Sequence, residues 1–193
     1  MPLFFYLHST AVKVWFYVWF KKIINSNNNA NDININIRSC SIKKCRKTTI
    51  FVGPTQRTLT IDSCVECVII SVCRRLIIRN CSGCTFYTLT PSSPLLLSGC
   101  DNIKFAPFNS SYANIEDDAA KSGLSDCLNL WDKPIVLTQN PSLINGSHWS
   151  LMEPKEFSLI NVPVESMPVN KNQLSTNILV SRANVWNFIC FKN

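Results

Sequence analysis

Four cysteines keep step along this chain: Cys45, Cys64, Cys81 and Cys100, spaced 19, 17 and 19 residues apart. Their neighbours share the register. Five residues before each cysteine stand Cys40, Leu59, Leu76 and Leu95, and three before stand Ile42, Ile61, Ile78 and Leu97. Three residues after come Thr48, Cys67, Cys84 and Ile103, and five after come Ile50, Ile69, Phe86 and Phe105. A pattern held in five columns over four units is a repeat, and no other property of the sequence limits the fold as much.

Within each unit, apolar and polar residues alternate, as in Leu59-Thr60-Ile61. Alternation of period two marks a strand with one buried face, so the five columns point inward. Units of 17–19 residues are shorter than the common helical repeats, which need more than ~30. They suit one coil of a parallel β-helix, built from short strands joined at corners. A single coil cannot bury its inner face, whereas four stacked coils make a continuous core. The expected fold class is therefore all-β, a parallel β-helix with irregular ends. Phe51, Ile70, Tyr87 and Ala106, six residues after each cysteine, would then face outward, as would Ile77 and Leu96. Uncovered apolar stripes are rare on monomers, so residues 135–164 are expected to cover the first set.

The cysteines gain a structural meaning from the repeat. A reduced thiol is small and apolar enough for a narrow inner corner. Zinc is the rival explanation, because Cys64-x-x-Cys67 and Cys81-x-x-Cys84 resemble two thiolate knuckles. Their thirteen-residue separation falls short of the usual ~15–20. Zinc also leaves the other columns unexplained, whereas the repeat accounts for Cys40, Cys45 and Cys100 as well. Cys45, Cys64, Cys67, Cys81, Cys84 and Cys100 are accordingly read as structural, with no metal and no cofactor. Cys73, Cys127 and Cys190 fall outside the columns, and neither His8 nor His148 lies near enough in sequence to activate one.

Charge is unevenly placed. Residues 1–47 hold eight of the 19 Lys and Arg residues and one of the 12 acids, which leaves eleven of each in residues 48–193. A neutral repeat argues against nucleic acid as a partner. Residues 3–20 have a length that suits a bilayer, but Lys13 near their middle costs ~2.5–3.5 kcal/mol. An apolar segment packed on the domain is favoured over a membrane span. The start lacks the basic n-region of a signal peptide, so reduced cysteines in the cytoplasm are expected. The chain divides into an apolar start with an Asn-rich linker (1–37), the β-helix (38–137), a segment packing on it (138–165) and a tail (166–193). Glu116-Asp117-Asp118 reads as a solvated turn or the first turn of a helix.

At the repeat, SCVECVIISVCRRLIIRNCSGC (63–84) and GCDNIKFAPF (99–108) resemble the tubulin-binding cofactor C, or C-CAP/cofactor C-like, domain family. Phe105, Ala106, Pro107 and Phe108 carry the more specific motif. The resemblance implies a right-handed parallel β-helix and an activity, GTPase activation on tubulin or on Arl-type small GTPases through an arginine finger. That finger lies in a motif like C-Q-Q-(L/F)-R, matched here by Cys73-Arg74-Arg75-Leu76-Ile77. Ile77 occupies the finger position, Arg74 replaces a glutamine, and a partner-contacting glutamate of one relative falls near Ser98. Arg79 stands two residues from Ile77, roughly 6.5 Å along a strand, and a misplacement of ~1 Å can cost ~100-fold in rate.

Residues 111–137 and 149–165 resemble one member of the family in particular, in which the finger is also expected to be lost. The resemblance then implies a non-enzymatic scaffold of the cytoskeleton at the centrosome, spindle pole or basal body. Its work would be centrosome and Golgi positioning and cell morphogenesis. Arg74, Arg75, Ile77, Arg79 and Ser98 are the candidate partner-binding residues, and cytoskeletal or centrosomal proteins the expected partners. The alternative is a GTPase-activating protein for tubulin or an Arl-type GTPase.

Overall fold

The computed structural model describes residues 3–6, 16–17, 37–111, 115–137 and 148–161. All its strand pairings are parallel. The strands are β1 (Leu3–Tyr6), β2 (Phe16–Tyr17), β3 (Ile37–Lys43), β4 (Thr49–Asp62), β5 (Val68–Arg79), β6 (Thr85–Leu89), β7 (Leu95–Leu96), β8 (Ile103–Pro107) and β9 (Ser110–Ser111). A short helix α1 (Ile115–Lys121) follows, then β10 (Ile135–Val136), β11 (Trp149–Leu151) and β12 (Ile160–Asn161).

The chain winds as a parallel β-helix. One sheet face stacks β1, β3, the second half of β4, the second half of β5, β7 and β10. A second stacks β2, the first half of β4, the first half of β5, β6, β8 and β11. The ladders of β4 and β5 break after Val52 and resume at Thr58, where the long strands turn a corner. The apolar start supplies strands in register, with Leu3 beside Cys40 and Phe16 beside Ile50. The remainder of residues 3–20, and the tail 166–193, lie outside the described residues. Among the described residues no helix is long and apolar enough to cross a membrane.

The inner columns follow the cysteine register closely. Ile50, Ile69, Phe86 and Phe105 are ladder partners in sequence, all almost fully buried. The Phe86 and Phe105 rings stack at 5.7 Å, and Trp149 meets Phe105 edge-on at 6.3 Å. Cys45, Cys64 and Cys81 are buried in the same core, and Cys100 packs against it. Pro107 pairs with Thr88, and β11 stops at Leu151 opposite Phe105. Proline has no N–H for a further ladder, so it suits the end of a stack.

The fourth coil departs from the sequence expectation. Ile77 pairs with Leu95 and Ile78 with Leu96, one residue out of the cysteine register. Leu96, expected to face outward, is therefore buried, and Leu97 is only half-buried. Buried Pro94 takes the place beyond Leu76 expected of Leu95. Register returns below, because Asn80 N–H donates to Ser98 O at 3.1 Å as Ser63 N–H donates to Arg79 O at 3.1 Å. Leu97 is thus one extra residue in the fourth coil, a β-bulge that spacing from Cys100 alone could not reveal.

Two left-handed residues make the corner in every coil. The first column is Lys44, Ser63, Asn80 and Gly99 (φ 57°, 56°, 51° and 78°), and the second is Lys47, Glu66, Gly83 and Asn102 (φ 50°, 52°, 61° and 48°). Between them the thiols satisfy corner carbonyls two residues back. Cys64 donates to Asp62 O (3.6 Å) and Cys81 to Arg79 O (3.1 Å). In the next column Cys67 donates to Val65 O (3.3 Å) and Cys84 to Ser82 O (3.5 Å). Thr48 makes the same contact with its hydroxyl, to Arg46 O at 2.8 Å. A small side chain with one proton to donate is what this corner requires.

The outward column Phe51, Ile70, Tyr87 and Ala106 is buried, as expected, and the expected segment supplies part of its cover. Ile115 and Leu124, from the stretch between β9 and β10, pack there with Met152, Phe157 and Ile160 of the expected segment. Trp131 from the same stretch enters the main core. The three acids form the first turn of α1, where they complement its dipole.

Candidate interaction face

The finger position lies on the outer side of the face made by β3, β4, β5, β7 and β10. Side chains two apart on a strand share a side, so three outward columns run across it. The middle one is Ser41, Thr60, Ile77, Leu95 and Ile135. Ile77 and Leu95 are half-buried, and Ile135 is 46% exposed. The column therefore ends in a short apolar stripe, continued past β10 by Leu137, which is 50% exposed. The outward apolar pair is Ile77 with Leu95, correcting the expected Ile77 with Leu96.

The second column is Lys43, Asp62 and Arg79, with Ser98 next in line. Arg79 Nη2 lies 3.0 Å from Asp62 Oδ2. Asp62 Oδ1 accepts from Ser63 Oγ (3.0 Å) and Asn80 Nδ2 (3.2 Å). Burial alone would raise the Asp62 carboxyl, but these hydrogen bonds and the adjacent guanidinium hold it below the usual carboxylate range. Arg79 is thus committed to a saturated carboxylate rather than free to swing. Ser98 is exposed beside it.

The third column is Ser39, Thr58 and Arg75. Arg75 is exposed, without a hydrogen bond or ion pair among the described residues. Arg74, at the corner, donates from Nε to Gln56 O (3.1 Å) and from Nη2 to Gly123 O (3.1 Å). It fastens the segment after α1 to the β-helix. Of the five candidate residues, the fold brings Arg75, Ile77, Arg79 and Ser98 to one side and turns Arg74 to an internal task. Asp62 and Asn80 were missed, although the charge order Lys43, Asp62, Arg79 was readable two residues before each cysteine.

The thiols differ in direction: the hydrogen bond with Cys64 holds Cys45 below the ordinary thiol value, against its burial, whereas several others are raised. Burial pushes Cys40 up to about 11 and Cys73 up to about 12, and the hydrogen-bonded Cys67 thiol with burial pushes Cys84 up to about 11. Cys81 is raised by its contacts with Cys64 and Cys84 and by burial. Among the described residues, no group of three or more His, Cys, Asp or Glu side chains is arranged to hold a metal ion.

The family model described as Tubulin binding cofactor C matches residues 21–135. TBCC domain-containing protein 1 from Mus musculus and from Homo sapiens are each 40% identical over 129 residues, 67% of this chain and 23% of theirs. The Danio rerio protein of that name is 31% identical over 149 residues, 70% of this chain and 26% of its own. The chain therefore spans about a quarter of the length of these relatives. Among solved structures, Tubulin Binding Cofactor C from Leishmania major superposes with a TM-score of 0.54 at 16% identity, covering 69% of this chain and 91% of that one. At that identity the likeness is one of fold.

Proposed function

The chain belongs to the tubulin binding cofactor C family, and from that premise we propose that it is a non-enzymatic interaction scaffold. The observation that carries this is Ile77, an apolar residue in an apolar stripe at the position where catalytic relatives are expected to place an arginine. An arginine finger works by bringing a guanidinium to the charge developing on a transferred phosphoryl group, and an isoleucine offers no charge. Arg74 donates to two backbone carbonyls and Arg79 to Asp62. Arg75, although free, sits two residues from the position, roughly 6.5 Å away.

The partners proposed are cytoskeletal or centrosomal proteins, met on the face bearing Arg75, Ile77, Arg79 and Ser98. By kinship with TBCC domain-containing protein 1, the proposed setting is the centrosome, spindle pole or basal body. The proposed roles there are centrosome and Golgi positioning and cell morphogenesis. Imaging of the tagged full chain in dividing cells tests this. The chain is expected at spindle poles, and Ile77→Glu with Ile135→Glu is expected to disperse it while leaving its melting temperature close to that of the parent. A parent chain spread evenly through the cytosol would sink the proposal.

A further inference from the structure

Stacked charges on this β-helix are elsewhere balanced between coils. Asp62 stands between Lys43 and Arg79, and Lys47 reaches Glu66 at 3.5 Å. One corner breaks the rule. Arg38, Arg57 and Arg74 each stand seven residues before a register cysteine, and Arg75 follows Arg74. The ladder confirms the stacking, since Ser39, Thr58 and Arg75 are successive partners and each of the three arginines directly precedes one of them. Four guanidinium groups thus crowd three coils set about 4.8 Å apart.

All four are exposed. Arg74 is tied to its two carbonyls, whereas Arg38, Arg57 and Arg75 have no ion pair or hydrogen bond among the described residues. The local sequences Ile-Arg-Ser, Gln-Arg-Thr and Arg-Arg-Leu contain no acid. Like charges on adjacent strands repel, so this corner carries a cost that a bound anion would remove.

We propose that the Arg38, Arg57 and Arg75 corner docks an acidic segment of a partner protein, through guanidinium–carboxylate pairs. The planar fork of arginine matches a carboxylate in two-point contact and loses less hydration than a lysine. A carboxylate segment is favoured over nucleic acid on two counts. The corner spans only about 10 Å from first coil to third, and the arginine column stops there, because the position seven residues before Cys100 in the fourth coil is the uncharged Ser93. The proposal rests on the scaffold reading only in supposing that a partner exists.

The test is fluorescence anisotropy of labelled octaglutamate titrated with the full chain at low salt. Binding is expected, and Arg38→Gln, Arg57→Gln and Arg75→Gln together should weaken it about tenfold or more. Lys44→Gln, Arg46→Gln and Lys47→Gln remove equal charge at the opposite corner and should leave it within about twofold. If the first triple variant melts below the assay temperature, the single variants are measured instead, each expected to be weakened about threefold. Absence of octaglutamate binding, equal loss in both triple variants, or tighter binding of a single-stranded oligonucleotide would overturn the proposal. Dispersal from spindle poles bears on the scaffold alone, and this titration on the corner alone.

Discussion

Raising the pH from 8 to 10 should weaken this fold sharply, because its core holds thiols that must stay protonated. Cys40, Cys73 and Cys84 are raised from an ordinary value of 9.0 to about 11, 12 and 11. All three side chains are almost completely buried. A thiol whose folded value stands above its unfolded value contributes stability that is whole below pH 9. That stability is lost as the pH rises through the folded value, here between 9 and 11–12. From pH 8 to 10 the unfolded chain releases nearly one proton per thiol while the folded chain keeps it. The loss is on the order of 1 kcal/mol per thiol and a few kcal/mol for the three. That is a large part of the roughly 5–15 kcal/mol typical of a domain. Urea denaturation in the presence of reductant at the two pH values measures it. Lysines and tyrosines titrate in the same range, so the decisive quantity is a difference. Cys73→Ala should lower stability at pH 8 but shrink the pH-dependent loss by on the order of 1 kcal/mol. An unchanged pH dependence in that variant would refute the reasoning, as would a parent whose stability is flat over the range.

Three further outcomes follow from the geometry. Gly99→Ala should destabilise by roughly 1–3 kcal/mol, because φ is +78° and the new Cβ would lie 2.5 Å from Asn80 Oδ1; thermal melting checks it, and a neutral result would mean the corner is looser than described. Arg74→Ala should cost about 1–2 kcal/mol and raise hydrogen exchange in residues 115–124, since it removes the bond to Gly123 O and the bond to Gln56 O that anchors the guanidinium; unaltered exchange there would show that Ile115 and Leu124 hold the segment without it. Elemental analysis of reduced, purified protein should find less than about 0.1 zinc per chain, and one zinc per chain would return the two Cys-x-x-Cys pairs to a metal role.

Much of the fold was legible because a solenoid repeats its physics at fixed intervals. A single ruler, distance from a register cysteine, located the buried columns of Ile50, Ile69, Phe86 and Phe105 and the covered stripe of Phe51, Ile70, Tyr87 and Ala106. It failed where one coil gains a residue. Leu97 is apolar like its neighbours, so Leu95-Leu96-Leu97 can be threaded in two registers, and only pairing to Ile77 and Ile78 selects one. It also failed at Ile115, Leu124 and Trp131, which lie outside the repeat and pack through isolated contacts that leave no period to read. The candidate face was half visible. Ile77 and Ser98 were placed outward by counting alone. The commitment of Arg74 to Gly123 depends on a segment 49 residues away, which no local pattern encodes.

The central claim is that an arginine-finger fold here works without its finger. Single-turnover hydrolysis of GTP by tubulin, and by an Arl-type GTPase, in the presence of equimolar full chain tests it most directly. The predicted rates stay within about twofold of the basal ones, against the ~10³–10⁵-fold that a working finger supplies. Acceleration that disappears in Arg74→Ala or Arg79→Ala would contradict the claim, since it would place a catalytic guanidinium where Ile77 leaves none.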